Sequence, residues 1–142
     1  MTRTHSLTLP AATRSLSDVR QFVSERAREA DMDGKTVEQI KLAVDEACAN
    51  VVKHAYAGAD DATFDVRVDV DDDQFAVLIR DTGISFDRTA YQHPDLARSI
   101  RNRKRGGLGV HLMRRLMDSV EYRSSDDGNE VRLVKYRTRA DA

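Results

Sequence analysis

The sequence predicts an α+β fold, a two-layer sandwich in which helices cover one face of a mixed, mostly antiparallel sheet. Two successive segments, residues 19–30 and 37–55, carry apolar residues at the spacing of amphipathic helices. The segments 64–70 and 75–79 alternate instead between apolar and polar residues, as strands with one buried face do. This segregation of helices and strands along the chain predicts the α+β class.

A short strand and a helix begin the chain. Residues 5–9 alternate like a strand, and Pro10, which has no N–H to donate, ends this strand or places it at a sheet edge. The first helix follows, with Ser15 or Ser17 as its expected cap. Asp33-Gly34 breaks this helix.

The second helix begins at a predicted capping box formed by Thr36 and Gln39. It contains residues 45–56, which read Asp-Glu-Ala-Cys-Ala-Asn-Val-Val-Lys-His-Ala-Tyr. A loop over residues 57–61 is expected to lead from this helix to the strands.

Two hairpins account for the later strands. The first turns at residues 71–73, three aspartates that lack the glycine and the bidentate glutamate of a calcium loop, so a solvated turn is expected. A polar stretch over residues 88–105 is typical of a lid or a disordered segment. Residues 110–117 then form a short apolar helix, and residues 120–125 and 129–137 form the closing hairpin.

Length and composition describe one domain over residues 1–142. The formal net charge of −1 gives no reason to expect direct nucleic-acid or membrane binding. No apolar run has the length of a membrane span, and no signal-peptide core follows the amino terminus. The one cysteine, Cys48, lies in an apolar helical stripe, so a disulfide within the chain is excluded. We therefore expect a cytoplasmic protein.

Glu46 and Asn50 lie four residues apart in the second helix, so their side chains are one turn apart on the same face. The apolar stripe of this helix is centred roughly 160° away from Glu46. An amide oxygen can ligate Mg²⁺, and a carboxylate can accept a proton from an attacking hydroxyl group. The pair alone does not decide the function, because the same spacing is common on solvent-facing helices.

Two glycine-containing motifs follow this pair. Residues 81–87 read Asp-Thr-Gly-Ile-Ser-Phe-Asp directly after a strand, where Asp81 and Gly83 suit either an ordinary turn or a close approach to a ligand. Residues 106–113 read Gly-Gly-Leu-Gly-Val-His-Leu-Met directly before a helix, an arrangement that suits phosphate binding or a hinge. No Walker sequence is present, which excludes a P-loop site.

Five cations precede the second glycine motif. They are Arg98, Arg101, Arg103, Lys104 and Arg105. This run is either a solvated loop or a source of one cation that reaches a triphosphate, and Arg105, next to the glycines, is then the first choice. Nucleic-acid binding is the least favoured interpretation, because the patch is small and no aromatic residues lie between the cations.

Taken together and in this order, the three motifs resemble the nucleotide-binding motifs of the Bergerat-fold ATPases, the superfamily of DNA gyrase and the sensor histidine kinases. The segment 44–56 looks like the helix motif of the bacterial anti-sigma factor serine kinases, including its Lys-His-Ala-Tyr ending. The residues that match the two glycine boxes of that group are Asp81, Gly83, Ser85, Phe86 and Asp87, and then Arg105, Gly106, Gly107, Leu108, Gly109, Leu112 and Met113.

The resemblance implies a role for each matching residue. Glu46 would be the general base, and Asn50 the Mg²⁺ ligand. Asp81 would accept a hydrogen bond from the adenine amino group, while Gly83 would let the backbone approach the base. The phosphate-binding residues would be Arg105, Gly106, Gly107, Leu108 and Gly109.

The same resemblance implies an ATP-dependent anti-sigma factor. Such a protein is loaded with ADP or ATP and Mg²⁺, is often a homodimer, and holds a sigma factor away from RNA polymerase. A STAS-type anti-anti-sigma protein competes for it and is inactivated when one of its serines or threonines is phosphorylated. This chain is accordingly expected to be a protein serine/threonine kinase with those two partners.

Three other functions remain open. The first is a nucleotide-loaded binding module that sequesters a partner but transfers no phosphate. The second is a free-standing ATPase clamp of the gyrase kind, although that branch normally adds a transducer domain. The third is a partner-switching module with a target other than a sigma factor, because the motifs describe the nucleotide and not the partner.

Overall fold

The computed structural model describes residues 2–55, 62–81, 111–125 and 128–137. These residues form two long helices and five strands, and residues 111–116 add a short helical segment. The elements in chain order are β1 (Arg3–Pro10), α1 (Ser15–Glu29), α2 (Gly34–Ala55), β2 (Thr63–Val70), β3 (Gln74–Asp81), β4 (Ser119–Ser125) and β5 (Gly128–Tyr136).

The five strands form one sheet in the order β1-β2-β3-β5-β4. Every strand pair in the part of the chain that the structure describes is antiparallel. Helices α1 and α2 pack against each other, and α2 also contacts β3 and β5. The predicted α+β sandwich is therefore confirmed.

The main core lies between the helices and one face of the sheet. Alternation along the strands produces it, since Phe64, Val66 and Val68 of β2 are buried while the intervening Asp65 and Arg67 are exposed. The apolar stripe of α2 covers this face with residues that include Ile40 and Val44.

The opposite face of the sheet is mostly charged, apart from a small buried apolar group. That group consists of Ala76, Leu78 and Val134. Next to it lies a hollow of about 330 Å³, lined by Leu78 and by charged side chains of β2, β4 and β5. The helices thus cover only one of the two faces.

Asp33 caps α2, and the expected capping box of Thr36 and Gln39 is wrong. The helix begins at Gly34, so Asp33 is at the N-cap and Thr36 is its third helical residue. The backbone N–H of Thr36 donates to Asp33 Oδ1 at 2.7 Å, and this hydrogen bond holds the pKa of Asp33 below its usual value.

The start of α1 also differs from expectation, because neither Ser15 nor Ser17 caps it. Arg14 occupies the N-cap position and makes no side-chain cap hydrogen bond. The buried Ser15 is the first helical residue, and its hydroxyl group donates to the carbonyl oxygen of Pro10 at 2.7 Å. Ser15 therefore fastens the helix to the end of β1 instead of satisfying helical N–H groups.

The predicted turn between β2 and β3 is confirmed. Asp71 Oδ1 accepts hydrogen bonds from the backbone N–H groups of Asp73, at 2.7 Å, and Gln74, at 2.9 Å. An aspartate that satisfies its own turn in this way explains why acidic residues are suited to this position.

The short helical segment 111–116 is fixed to the sheet at its end. Met113 and Met117 are buried, and Lys135 Nζ of β5 donates to the carbonyl oxygen of Leu116 at 2.6 Å. The predictions for residues 57–61 and 88–105 fall outside the described residues. Within the described chain, no helix combines the length and the apolar character that a membrane crossing requires.

Candidate functional site

Helix α2 carries two polar side chains, Glu46 and Asn50, outside its buried apolar stripe. Glu46 and Asn50 are both half-buried, whereas Val44, Cys48 and Val51 are fully in the core. The regular helix from Gly34 to Ala55 keeps the two polar side chains one turn apart on one face.

Two adjacent acids on α2 differ in what they contact. Asp45 is bound to α1, because Arg20 Nη1 donates to its Oδ1 at 2.6 Å. The side chain of Glu46 forms no hydrogen bond or salt bridge with any described residue, and the same holds for Asn50. Lys53, two turns further along the helix, is exposed and forms no ion pair with Glu46. Glu46 and Asn50 therefore have hydrogen-bonding capacity that the described structure does not use.

Tyr122 of β4 senses the charges of both Glu46 and Arg114, which lies in the segment 111–116. Although 46% of Tyr122 is exposed, burial of its hydroxyl group is the largest cause that raises its pKa. The positive charge of Arg114 opposes this shift, and the negative charge of Glu46 adds to it. The phenol of Tyr122, on an edge strand, is therefore within electrostatic reach of both Glu46 and Arg114.

Asp81 is the last residue of β3 and faces the helices. It has the same alternation as Phe75, Val77 and Ile79, which all belong to the core under α1 and α2. Its carboxylate is half-buried, and Asn129 Nδ2 of β5 donates to its Oδ1 at 3.2 Å. Asp81 therefore lies on the same side of the sheet as Glu46 and Asn50.

The remaining predicted site residues lie outside the described residues. They are Gly83, Arg105, Gly106, Gly107, Leu108 and Gly109. The structure thus places the helical pair and the strand-end carboxylate, while the roles expected for the glycines and Arg105 stay predictions.

Three residues near the site did not follow from the sequence: Arg114, Tyr122 and Asn129. A signal for Asn129 existed, since it shares its alternation with the inward-facing Val131 and Leu133 of β5. A polar residue at an inward-facing strand position is unusual and indicates a polar environment. No comparable sequence signal indicates Tyr122, whose position relative to Glu46 depends on tertiary packing.

Other chemistries find less support in the described residues. Burial raises the pKa of the Cys48 thiol strongly, so the thiolate needed for nucleophilic attack is disfavoured. The described residues contain no group of three or more His, Cys, Asp or Glu side chains arranged to hold a metal ion. A carboxylate and an amide on α2, on the same side of the sheet as the carboxylate of Asp81, suit a ligand that brings its own charged groups.

Comparisons with known proteins identify the family of this chain. The sequence pattern of the histidine kinase-like ATPase domain matches residues 9–135. The serine-protein kinase RsbW of Halalkalibacterium halodurans is 34% identical over 140 residues, which cover 96% of this chain and 85% of that protein. The serine-protein kinase RsbW of Bacillus pumilus is 35% identical over 138 residues, covering 92% and 84% of the two chains.

A solved structure shows the same fold. It contains the RsbU and RsbW domains of Rv1364c from Mycobacterium tuberculosis and matches with a TM-score of 0.65 at 18% identity, over 96% of this chain and 33% of that longer one. This likeness in fold agrees with the family pattern and with the relatives. The chain belongs to the histidine kinase-like ATPase domain family and, within it, to the family of the RsbW serine-protein kinases.

Proposed function

We propose that this protein is an ATP-dependent anti-sigma factor that sequesters a sigma factor and phosphorylates a serine or threonine of a STAS-type anti-anti-sigma partner. One domain over residues 1–142 would carry both activities in the cytoplasm. The relatives that are named serine-protein kinases support the phosphotransfer, and the motif resemblance supports the two partners. The resemblance also implies a homodimer, which sedimentation equilibrium would test.

The observation that carries the kinase proposal is the contrast between Asp45 and Glu46. Asp45 is held by Arg20, whereas the carboxylate of Glu46 is engaged by no described hydrogen-bond donor or cation within ion-pair distance. A general base must be able to accept a proton, so an uncommitted carboxylate suits that role better than one in a salt bridge. Glu46 is therefore our candidate base.

In the proposed reaction, Glu46 accepts the proton of the acceptor hydroxyl group while that oxygen forms a bond to the γ-phosphorus of ATP. The bond between the γ-phosphorus and the bridging oxygen breaks, and ADP leaves. Phosphoryl transfer depends mainly on positioning and charge stabilisation, so the base has only to remove this proton at the right place.

Asn50 fits a magnesium ligand, because its half-buried amide has no partner among the described side chains. Mg²⁺ commonly takes few protein ligands and completes its shell with phosphates and water, which one amide oxygen allows. When bound, the ion would neutralise charge on the β- and γ-phosphates. Asp81 would hold the adenine, and Arg105 with Gly106, Gly107, Leu108 and Gly109 would hold the phosphates.

Single-turnover transfer from γ-labelled ATP to the anti-anti-sigma partner that co-purifies from the native cell tests this proposal. Glu46→Gln keeps the side-chain shape and removes the base, so transfer should fall by roughly 10²–10⁴-fold while ATP binding persists. Asp45→Asn is the matched control on the neighbouring residue and should transfer at the wild-type rate. Asn50→Ala should lose Mg²⁺-dependent nucleotide affinity and transfer together.

Two outcomes would contradict the proposal in different ways. Normal transfer by Glu46→Gln would show that Glu46 is not the base. If the wild-type protein transfers no phosphate but binds its partner tightly, the sequestering module without catalysis is correct.

A further inference from the structure

Leu42 lies on the solvent-facing side of α2, away from the apolar stripe that packs into the core. Its exposed fraction is 53%, whereas the neighbouring Ala43 and Val44 are fully buried. Within the described residues of α2, it is the only large apolar side chain that is exposed. A single exposed leucine is common on protein surfaces, so its surroundings decide whether it has a role.

The position of Leu42 relative to the proposed catalytic residues supplies a direction. Asn50, Glu46 and Leu42 follow one another at intervals of four residues in a regular helix, so their side chains lie on successive turns of one side. In the proposed reaction, Asn50 binds the magnesium ion on the phosphates and Glu46 accepts the proton of the acceptor hydroxyl group. The direction from Asn50 to Glu46 therefore leads from the nucleotide to the protein substrate, and Leu42 is the next side chain along it.

A substrate bound at Glu46 has to approach this turn of the helix. The Cβ atoms of residues four apart on a helix are about 5–6 Å from each other. A general base must lie within about 3 Å of the hydroxyl oxygen that it deprotonates. A serine or threonine in contact with Glu46 therefore brings the residues next to it within reach of Leu42.

The charged residues around Leu42 are already paired within this chain. Lys41 Nζ donates to Glu38 Oε1 at 3.4 Å on one side, and Arg20 Nη1 donates to Asp45 Oδ1 at 2.6 Å on the other. Both pairs are partly solvated, so they suit the polar rim of a contact and need not be broken when its centre is covered. An apolar centre inside a polar rim is the usual anatomy of a protein–protein interface.

We propose that Leu42 is an apolar anchor for the anti-anti-sigma substrate and packs against an apolar side chain next to the serine or threonine that is phosphorylated. This inference rests on the proposed function, in which Glu46 deprotonates that hydroxyl group. Leu42 has no part in binding the nucleotide or the metal ion, so it acts by holding the acceptor protein at the base. Covering its exposed surface favours the complex in proportion to the apolar area that is removed from water.

Steady-state transfer from γ-labelled ATP to the co-purifying anti-anti-sigma partner tests the inference. Leu42→Ala removes most of the apolar surface, so the KM for the partner should rise about tenfold, while kcat at saturating partner and the affinity for ADP stay unchanged. Leu42→Met keeps a similar apolar volume and should retain the wild-type KM. Leucine, alanine and methionine all favour helices, so urea denaturation should show nearly equal stability for the three proteins.

Tyr136→Ala is the matched control for loss of an exposed apolar side chain. Tyr136 is 56% exposed and shares its strand alternation with Val134, on the face of the sheet that the helices do not cover. This variant should therefore keep the wild-type KM for the partner.

Thiol labelling tests the same contact without catalysis. The chain has one cysteine, Cys48, which is buried, and burial raises the pKa of its thiol, so it should react slowly with alkylating reagents. Leu42→Cys therefore introduces a single reactive thiol at the proposed contact. Its alkylation should slow when ADP, Mg²⁺ and saturating anti-anti-sigma partner are added, whereas Tyr136→Cys should react at the same rate with and without the partner.

The outcomes separate this inference from the proposed function. If Leu42→Ala transfers phosphate with the wild-type KM and the partner does not protect Leu42→Cys, the anchor is wrong while the kinase function stands. A lower kcat with an unchanged KM would also contradict the anchor, because Leu42 would then affect the chemical step. If the wild-type protein transfers no phosphate, the kinase proposal fails and the labelling decides the contact. Protection by the anti-anti-sigma partner would support it, and protection by the sigma factor alone would contradict it.

Discussion

Five residues are paired in one row across the sheet at the end of β3: Leu9, Phe64, Asp81, Asn129 and Ser124. The two halves of this row have the same backbone geometry but opposite chemistry. Leu9 and Phe64 are buried, with Phe64 at 1% exposure, whereas Asp81 and Asn129 are half-buried and hydrogen-bonded to each other. Register and strand twist are common to both halves, so they do not account for the difference. The apolar half stabilises the fold, and the polar half gives up that stabilisation, as the adenine site proposed at Asp81 would require.

The largest effect that this comparison predicts is the loss of stability in Phe64→Ala. The ring is fully buried in the core, so its removal should lower the free energy of unfolding by about 3–5 kcal/mol. Urea denaturation followed by circular dichroism measures this value. Asn129→Ala, in the same row, should cost no more than about 1.5 kcal/mol, since a single hydrogen bond at a half-buried position is lost. Equal losses in the two variants would contradict the division of the row.

Local patterns were sufficient to predict most of the fold. Helical periodicity located α2 and the face that carries Glu46 and Asn50, and alternation located β2 and β3 with Asp81 at the strand end. Both predicted helix starts were wrong, because Asp33 and Ser15 form hydrogen bonds that depend on where the helix begins. A shift of one to three residues changes which side chain can reach an N–H group.

The contacts of the site were harder to predict, because they depend on pairings distant in sequence. Asp81 and Asn129 are 48 residues apart and meet only because β5 inserts between β3 and β4 in the sheet. Tyr122 of the edge strand β4 comes within electrostatic reach of Glu46, 76 residues earlier in the chain, only in the folded protein. Neither the order of the strands nor this packing is contained in local periodicity.

Asn129→Val should change the stability less than Phe64→Ala does, and its main effect should be on ADP binding. Valine suits a half-buried strand position beside Val131, so the free energy of unfolding should change by no more than about 1 kcal/mol in either direction. ADP affinity should nevertheless fall if Asp81 binds the adenine as proposed, because Asp81 loses the hydrogen bond from Asn129. Urea denaturation and calorimetry on the same preparation measure both values. A stability loss comparable to that of Phe64→Ala would show that the polar half of the row stabilises the fold after all.

The smallest predicted effect concerns Asp45 and Glu46, two neighbouring acids of α2. As in the row across the sheet, one residue stabilises the fold and the other belongs to the proposed site. Asp45 stabilises the contact between α1 and α2, but its ion pair with Arg20 is partly solvated, with side chains 36% and 41% exposed. Asp45→Asn should therefore lower the free energy of unfolding by about 0–1 kcal/mol, and the loss should shrink in high salt. Glu46→Gln should leave stability unchanged at either salt concentration, since Glu46 forms no ion pair with a described residue. If Glu46→Gln instead destabilised the protein in a salt-dependent way, its carboxylate would be a structural partner, and the contrast that supports it as the base would be lost.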